Sequence, residues 1–569
     1  MVNLKKFTCA FLAAAMTVTL LSGCKSSKDS SGGTSTQDTT STKTSTSDSS
    51  TSDTSSKVNE FGWEIPEKTI KIDFYAGQDN PDTVAENSEK KRQWLLDNFN
   101  VELNKIVYDT DMDERLNLML VSNDYPDVIT GMTALQAATW AEQGRAVELT
   151  ELVDNYGPNL KKAMGKYLNR YKNENGELYS LGSQWGIGGW TDYAPQVRYD
   201  WWQEAGTPDV STTDKYFEVL KQLVETHPTN DAGEKTYAFG FWKNNNTYLN
   251  FLGMWGLKRG WEITDDNEFI HWVNTDEGLE MTKYVNQFYR AGLIDPDSFT
   301  MTMEEWGAKL TNQRYAGFVG AWWPTGTYGH EMWVKTVENY NEDMFVTHVN
   351  VKAPGVEKTT FNPKSSLGSR MIITDKAKNP EDIMKWLDFE NTDLGIKIIG
   401  WGIPNEEDST WTYDPATGKW EITEKYAIPL SGDTSKCDWD TMEKMGGQYG
   451  LLISAGLVMS DGTYGWLDQN FSDKSKLKKL MNENLAESIF DFSAYYAITL
   501  PPDSEVASIN QLVTDIVNTG WVQAVMAETE EECVARYMEM KSQVVNAGVD
   551  KLEDFYTENY RKNLETWGE

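Results

Sequence analysis

Apolar and polar residues alternate over residues 68–77, KTIKIDFYAG, and this pattern predicts a β-strand that ends at Gly77. Residues 88–101 have the period of an amphipathic helix. A strand at 101–109, a helix at 111–124 and a strand at 125–131 are predicted to follow. This order of strands and helices is typical of a mainly parallel sheet, in which ligands bind beyond the carboxyl ends of the strands. The sequence therefore indicates that the loops starting at Gly77 and Gly131 contact a ligand.

The rest of the chain continues with shorter segments of both kinds. The patterns predict an extended, glycine-rich stretch and a helix start at 177–206, a strand, polar loop and helix at 236–256, a strand ending at Trp322-Trp323 within 314–333, a strand and helix at 365–389, a hairpin at 409–423 and mostly helix from about 470. Pro380 suits the first turn of its helix, and the acidic residues that follow it suit the positive end of the helix dipole.

The first 23 residues have the features of an export signal. Lys5 and Lys6 precede an apolar run at 7–21 that is too short for a comfortable membrane span. The sequence LSGC, which ends at Cys24, resembles the lipobox of bacterial lipoproteins and implies that Cys24 is lipidated. The alternative is an ordinary secretory signal with a chance cysteine. Two acyl chains on Cys24 would suffice for stable attachment to a membrane.

Residues 24–60 are rich in Ser and Thr and almost free of apolar side chains, which predicts a disordered linker. No later stretch reaches the roughly 18 apolar residues of a second span. We therefore expect a body outside the cytoplasm that is tied by lipid to the outer face of the cell membrane. This arrangement fits a Gram-positive cell, which has no periplasm to retain a free protein.

The composition of the body argues against some classes of binding partner. The formal net charge is −35, which argues against nucleic acid and anionic lipid as partners. After Cys24, only Cys437 and Cys533 remain; they form one long-range disulfide or two separate buried thiols. The 23 Trp, 26 Tyr and 20 Phe are a heavy aromatic load, most of which must pack in cores.

Several segments, in this order, resemble the large lipid-anchored sugar-binding proteins of bacterial ABC importers, in the solute-binding superfamily that includes maltose-binding protein. They are ELYSLGSQ, VRYDWWQEAGTPDVSTTDKYFEVLKQL, GFVGAWW, ITDKAKNPEDIMKWLDF and CVARYMEMKSQVVNAGVDKLEDFYTENYRKN. The resemblance implies an α/β, two-lobe, periplasmic-binding-protein-like fold of type II, with a βα sheet sandwich in each lobe, a hinge between them and ligand in the cleft. It implies chain crossings near 183, 318 and 366. Lobe 1 would then hold 64–183 plus 318–366, and lobe 2 would hold 184–317 plus 367–569.

Many large relatives carry an acidic loop that looks able to hold calcium. The corresponding stretch here, THPTNDAGEKTYAFG, has Asp231 and Glu234 as its only carboxylates, whereas a calcium site generally needs several oxygen donors. We expect a plain turn, with calcium as the alternative, and no other cofactor or metal.

The resemblance places the predicted strand ends at the cleft, and their residue types suit a sugar. Polar side chains serve its hydroxyl groups, and Trp rings serve its flat C–H face. The candidate ligand-binding residues are Gln78, Asp79, Asn80, Met132, Trp185, Trp190, Trp242, Asn244, Asn245, Trp322, Trp323, Thr325 and Trp401.

Each candidate has a structural alternative. A Trp in a strand is more often part of a core, Asn244 and Asn245 suit a helix N-cap, and Asp79 suits a surface turn. Trp322 and Trp323 stand out because neighbours on a strand point to opposite faces. One of them is therefore expected to be a sugar platform.

Motifs of serine hydrolases, zinc proteases and phosphate-binding loops are absent from the sequence, and it has only four His. Together with these absences, the resemblance implies a non-catalytic, monomeric receptor. It would bind an oligosaccharide and deliver it to the transmembrane subunits of an ABC permease. The alternatives are a surface glycoside hydrolase, which needs only two carboxylates, a receptor for another solute such as a peptide, and an adhesion or structural lipoprotein.

Overall fold

The structure is a computed structural model that describes residues 57–76, 81–107, 111–173, 175–183, 193–243, 248–338, 340–423, 449–452, 457–465, 476–501 and 504–569. The strands in these ranges, numbered β1 to β14, are Ile70–Ala76, Val101–Ile106, Val128–Met132, Leu181–Gly182, Tyr193–Arg198, Trp261–Ile263, Phe269–His271, Gly317–Ala321, Val346–His348, Asn362–Lys364, Arg370–Ile373, Trp411–Asp414, Lys419–Ile422 and Ile489–Asp491.

The helices in the same ranges, numbered α1 to α19, are Pro81–Phe99, Met112–Ser122, Ala134–Glu142, Thr150–Tyr156, Pro158–Met164, Tyr199–Glu204, Thr213–Thr226, Tyr248–Leu252, Asp276–Arg290, Met303–Thr311, Trp322–Thr325, Glu331–Thr336, Pro380–Glu390, Asp393–Trp401, Lys476–Leu485, Ser493–Tyr496, Glu505–Val525, Glu530–Asn546 and Val549–Trp567. None of the described helices has both the length and the apolar character that a membrane span requires.

The first sheet has the order β2-β1-β3-β11-β4. β1 pairs in parallel with β2 and β3, whereas β11 runs antiparallel to β3 and β4. The predicted β-α-β-α-β rhythm is confirmed. Phe74 faces one core and its neighbour Tyr75 faces another, so apolar side chains cover both faces of the sheet.

The second sheet has the order β8-β5-β9, with β5 antiparallel to both neighbours. Its core joins residues of 194–361 to residues of 485–556. The predicted strand at 236–242 forms only isolated bridges, Tyr237 to Tyr315 and Phe239 to Ile294, rather than a ladder. The predicted hairpin at 409–423 is present as β12 and β13.

Strand pairing corrects the division into lobes that the sequence predicted. β8 and β9, from the segment 318–366, pair with β5 and not with the first sheet. Conversely, β11 completes the first sheet, and its core includes apolar residues from 367 to 459. Among the described residues, those of 57–183 and 367–465 therefore belong to the first lobe, and those of 193–364 and 476–556 belong to the second. The crossing predicted near 318 is wrong, because β8 lies wholly within the second lobe.

Two connecting segments, 181–183 and 365–370, lie side by side where the lobes meet; we call them the junction. Ser183 N donates to Ser369 O at 3.0 Å, and the hydroxyl oxygens of the two serines are 3.1 Å apart. Tyr171 OH donates to Ser366 O at 2.6 Å. A side chain at Gly368 would lie 2.0 Å from Ser183 O, so the segments pack this closely only because Gly368 has no Cβ.

We expect Gly368→Ala to lower the free energy of unfolding by about 1–3 kcal/mol, because the added Cβ must push the two segments apart. Urea denaturation of the purified protein measures this change. Ser369→Ala is the matched control at the same crossing; it removes only one hydroxyl contact and should cost about 1 kcal/mol or less. Equal midpoints for Gly368→Ala and the unsubstituted protein would contradict the close packing.

Cys533 is buried in the second lobe as a free thiol, and burial raises its pKa to about 11. Cys437 lies outside the described residues. Of the two alternatives for this pair, the structure therefore places Cys533 in a core and not in a disulfide.

Candidate functional site

The first lobe presents the ends of its central strands to the junction. β3 ends at Met132, which is paired with Arg370, and Arg370 is paired in turn with Gly182. Arg370 is buried, and its guanidinium lies 4.4 Å from the centre of the Tyr171 ring. Burial lowers the pKa of Arg370, and the neighbouring Tyr171 opposes this change. The carboxyl ends of β1 and β3 thus face the junction, as expected for a ligand site in an α/β lobe.

The predicted polar residues after β1, Gln78, Asp79 and Asn80, lie outside the described residues. Met132 is described, and its prediction as a ligand contact is not supported. Its side chain is fully buried in the core on one face of the first sheet. Because the Met132 side chain is apolar and ends a buried strand, it packs in the core and does not face the cleft.

The second lobe presents Trp322 and Trp323 directly after strand β8. β8 ends at Ala321, opposite Tyr193 at the start of β5, and the two Trp residues follow directly. Trp322 is 37% exposed and Trp323 is 46% exposed, which is unusual for side chains of this size.

The strand geometry expected for this pair is wrong, because Trp322 and Trp323 begin helix α11 rather than end a strand. Successive side chains on a helix are about 100° apart and not on opposite faces, so both rings can reach solvent. Trp322 packs over Gly326, where an added Cβ would lie 3.0 Å from the Trp322 ring. Trp323 makes no ring contact with any described residue.

Gln196 and Thr325 hold the turn from β8 into α11. Gln196 is fully buried in β5, and its Nε2 donates to Ala321 O at 3.0 Å and to Gly320 O at 3.2 Å. Thr325 Oγ1 lies 3.0 Å from Gln196 Oε1 and 2.8 Å from Trp322 O. Thr325 is itself fully buried, so its predicted role as a ligand contact is replaced by one in positioning the Trp pair.

A π-helical segment, Gly326–His330, follows α11 directly. Such segments are rare and often lie at functional sites. Burial lowers the pKa of His330 to about 4, so its ring is neutral at pH 7. Its Nδ1 is 2.7 Å from Tyr340 OH, which fixes this end of the segment.

Two other predicted Trp residues belong to cores. Trp401 is fully buried in the first lobe, and its Nε1 donates to Tyr464 O at 3.2 Å, so the prediction of a ligand contact there is wrong. Trp242 is half-buried and stacks on Phe318 with ring centres 6.0 Å apart. The four remaining candidates, Trp185, Trp190, Asn244 and Asn245, lie outside the described residues.

Three side chains at the junction were missed in the sequence: Arg259, Tyr193 and Tyr496. The Arg259 guanidinium lies 5.4 Å from the centre of the Tyr193 ring, and Tyr193 N donates to Asn362 Oδ1 at 3.0 Å just before the second junction segment. Tyr496 is 40% exposed at the end of α16. That helix is tied to the junction through Ser493, whose Oγ accepts from Ser366 N at 3.0 Å.

We call Tyr193, Trp322, Trp323 and Tyr496 the aromatic wall. A wall of this kind offers flat apolar surfaces beside hydroxyl groups, which suits a ligand with both apolar faces and polar edges. Tyr193 and Tyr496 carried no signal in the sequence, because a Tyr at a strand start or a helix end is ordinary. Arg259 did carry one, since Arg-Gly between two apolar segments marks a turn.

The loop compared with calcium sites is closed by its own hydrogen bonds. Asn230 Oδ1 accepts from Glu234 N at 2.8 Å and from Ala232 N at 3.1 Å, and Asn230 Nδ2 donates to Glu234 Oε2 at 2.9 Å. One of the two carboxylates is thus already bonded within the turn. No group of three or more metal-ligating side chains occurs among the described residues.

The chain is similar in sequence to two bacterial proteins. It is 22% identical over 483 residues to the fructooligosaccharide ABC transporter substrate-binding protein FusA of Streptococcus pneumoniae, covering 81% of each chain. It is 21% identical over 291 residues to the lipoprotein LipO of Bacillus subtilis, covering 50% of this chain and 56% of LipO. No protein-family model matches it.

Solved structures of solute-binding proteins are similar to the chain in fold. The S. pneumoniae FusA EF-hand mutant in complex with fructo-nystose superposes with a TM-score of 0.65 at 19% identity, over 87% of this chain and 99% of that one. An extracellular solute-binding protein from Bifidobacterium longum subsp. infantis superposes with a TM-score of 0.64 at 15% identity, over 88% and 99%. The predicted two-lobe α/β fold of the type II solute-binding proteins is thereby confirmed.

Proposed function

We propose that this chain, which is a bacterial ABC-type solute-binding protein, is the receptor of a carbohydrate importer and binds an oligosaccharide at the junction between its lobes. The observation that carries this proposal is the aromatic wall. The exposed rings of Trp322 and Trp323 follow β8, and Tyr193 lies opposite the last residue of that strand, Ala321. FusA, which is similar over most of the chain, is a fructooligosaccharide receptor.

Trp323 is the proposed sugar platform. It is the more exposed ring of the pair, whereas Trp322 is packed over Gly326 and has Lys478 Nζ at 6.0 Å from its centre. A pyranose or furanose ring lying flat on Trp323 would cover apolar surface and leave its hydroxyl groups free for hydrogen bonds. Buried Gln196 and Thr325 pre-set the backbone that carries this ring, which lowers the ordering cost of binding.

The lobes close on the sugar about the junction, and the closed form docks on the transmembrane subunits of an ABC permease. The receptor acts as a monomer without catalysis and without a bound metal. The lipid on Cys24 keeps it at the outer face of the membrane, and the 24–60 linker lets it turn. LipO is a lipoprotein, which supports the anchor.

The test is a ligand screen by thermal shift, followed by titration calorimetry. We expect kestose, nystose or another neutral or charged oligosaccharide to raise the melting temperature, because a ligand that binds only the native state stabilises it. Sugar turnover would indicate a glycoside hydrolase instead, and stabilisation by peptides alone would indicate another kind of receptor. Small-angle scattering should show compaction with the same sugar.

Trp323→Ala should weaken the binding of that sugar about tenfold or more, the equivalent of about 1.4 kcal/mol. Trp323→Phe should retain part of the affinity because it keeps a smaller flat ring. Trp202→Phe is the matched control, since Trp202 lies on α6 at the opposite end of β5. Unchanged affinity in Trp323→Ala would remove Trp323 from the site.

A further inference from the structure

Arg259 is a half-buried cation at the junction that has no acidic partner among the described residues. Its Nη1 donates to Asn250 Oδ1 at 2.7 Å, and its guanidinium lies over the Tyr193 ring at 5.4 Å. It forms no ion pair with any carboxylate among the described residues, and Asn250 is its only hydrogen-bond partner among them. Both contacts orient the guanidinium without neutralising it.

Two other partly or fully buried arginines, Arg198 and Arg92, have an acidic partner, which Arg259 lacks among the described residues. Arg198 forms a two-pronged pair with Asp200, at 2.8 Å and 2.6 Å, and Arg92 pairs with Glu102 at 2.8 Å. Arg370, which is buried at the junction, also has no carboxylate partner among the described residues. Arg259 differs from it in being only half-buried and in lying beside the strand end that carries the Trp pair. The Nε and Nη2 groups of Arg259 donate to no acceptor among the described residues, so they are available to a ligand.

The backbone at Arg259 points the same way. Lys258 and Trp261 exchange two backbone hydrogen bonds, at 2.7 Å and 3.2 Å, and enclose a two-residue turn of Arg259 and Gly260. Both turn residues have positive φ, 54° and 95°, which is the geometry that favours Asn, Asp or Gly at the first position. Arginine is a poor choice for this turn, and such locally unfavourable residues concentrate at functional sites.

Arg259 is also placed to meet a ligand on the aromatic wall. Tyr193, beneath its guanidinium, is paired with Ala321, the residue before Trp322. Asn250, its hydrogen-bond partner, lies against β8 near Gly320, with Nδ2 at 3.6 Å from the position that a Cβ would take there. Arg259 therefore stands beside the strand end that carries the Trp pair.

We propose that Arg259 binds a carboxylate of the ligand, so that the saccharide recognised at this site is acidic and contains a uronic acid. This inference rests on the proposed receptor function and deepens it. The guanidinium fork matches the two oxygens of a carboxylate in one plane, and a hydrogen bond between ionised groups is stronger than one to a neutral hydroxyl. Asn250 and Tyr193 hold the fork ready before the ligand arrives.

The test compares matched sugars. Di- and trimers of galacturonate, mannuronate and glucuronate, and the same oligomers with their carboxyl groups reduced to alcohols, are titrated into the full protein by calorimetry. We expect at least one uronate oligomer to bind tenfold or more tightly than its reduced counterpart. Equal or tighter binding of the reduced or other neutral sugars overturns the acidic assignment but leaves the receptor function intact. Failure of every saccharide to bind overturns both.

Variants assign the preference to Arg259. Arg259→Asn should abolish the preference for the uronate while leaving the melting temperature unchanged or higher, since Asn suits the turn. Arg259→Lys should retain part of the preference, because it keeps the charge and loses the fork. Arg536→Gln, which removes an exposed helical arginine paired with Glu532, is the charge-matched control and should bind as the unsubstituted protein does. The proposal is contradicted if Arg259→Asn still prefers the uronate oligomer. It is also contradicted if this variant melts at a lower temperature and loses affinity for the uronate oligomer and its reduced counterpart equally.

Discussion

Glu390→Ala should lower the free energy of unfolding by about 3–5 kcal/mol, the cost of removing one member from a buried charged network. Glu390 lies at the end of α13 and is only 1% exposed. Its carboxylate accepts hydrogen bonds from Trp386 Nε1 at 2.7 Å, Leu451 N at 3.0 Å and Leu452 N at 3.0 Å. Alanine would leave three buried donors without their acceptor.

The same substitution would also strand a buried cation. Lys91 is fully buried on α1, where its Nζ donates to Ile398 O at 2.6 Å, and the charge of Glu390 favours its protonated form. Loss of the carboxylate removes that compensation. The expected loss should therefore exceed that of an ordinary buried hydrogen bond, which is about 1 kcal/mol.

Urea denaturation of the purified variants measures the effect. Glu390→Gln is the matched variant, because its amide keeps one acceptor oxygen. Its free energy of unfolding should therefore fall distinctly less than that of Glu390→Ala. Glu225→Ala, at an exposed position near the end of α7, should stay within about 0.5 kcal/mol of the unsubstituted protein. A Glu390→Ala midpoint close to that of Glu225→Ala would show that this network adds little.

The local order of the fold could be predicted from the sequence, whereas its long-range pairing could not. Alternation at 68–77 and the helix signal at Pro380 arise from neighbours in the chain, and both elements are present. The choice of partner for β8 depends on how its strand edge fits β5, more than 100 residues earlier along the chain. No local pattern encodes that choice, and the predicted division into lobes failed there.

The candidate site shows the same limit at the level of side chains. Trp322-Trp323 was found by residue type and by its place after a strand. Trp401 has the same type, yet its ring is fully buried against Trp411 and Trp420. Burial is a property of the assembled core, so residue type alone cannot separate a platform from a packed ring. Arg259 was missed because nothing in the sequence separates its turn from other turns that contain a basic residue. Its lack of an acidic partner among the described residues is visible only in three dimensions.

The stability contributed by Glu390 and Lys91 should depend on pH in opposite directions on either side of pH 7. Burial raises the pKa of Glu390 from 4.5 to about 7, against the three hydrogen bonds and the Lys91 charge that lower it. The folded protein then binds more protons than the unfolded chain between about pH 4.5 and 7. Stability from this group is therefore full below pH 4.5 and is lost as the pH rises through that window.

Lys91 behaves in the opposite sense. Burial lowers its pKa from 10.5 to about 7, against the charge of Glu390 that raises it. The folded protein binds fewer protons than the unfolded chain between pH 7 and 10.5, so stability from this group rises with pH across that window. The two contributions together give a minimum near pH 7.

Unfolding free energies should be measured by urea denaturation at pH 5, 7 and 9. The minimum should appear in the unsubstituted protein and change in variants that lack one of the two groups. At about 1.4 kcal/mol for each pKa unit, the Glu390 shift from 4.5 to about 7 makes the loss between pH 5 and 7 about 3 kcal/mol at most. Glu390→Gln cannot ionise, so its curve should lack this fall, and Lys91→Met should lack the rise above pH 7. Curves for the unsubstituted protein and Glu390→Gln that run parallel from pH 5 to 7 would mean that Glu390 ionises in the folded protein as readily as in the unfolded chain. The three N–H donors that converge on its carboxylate would then outweigh its burial, because they are the groups that favour the charged form.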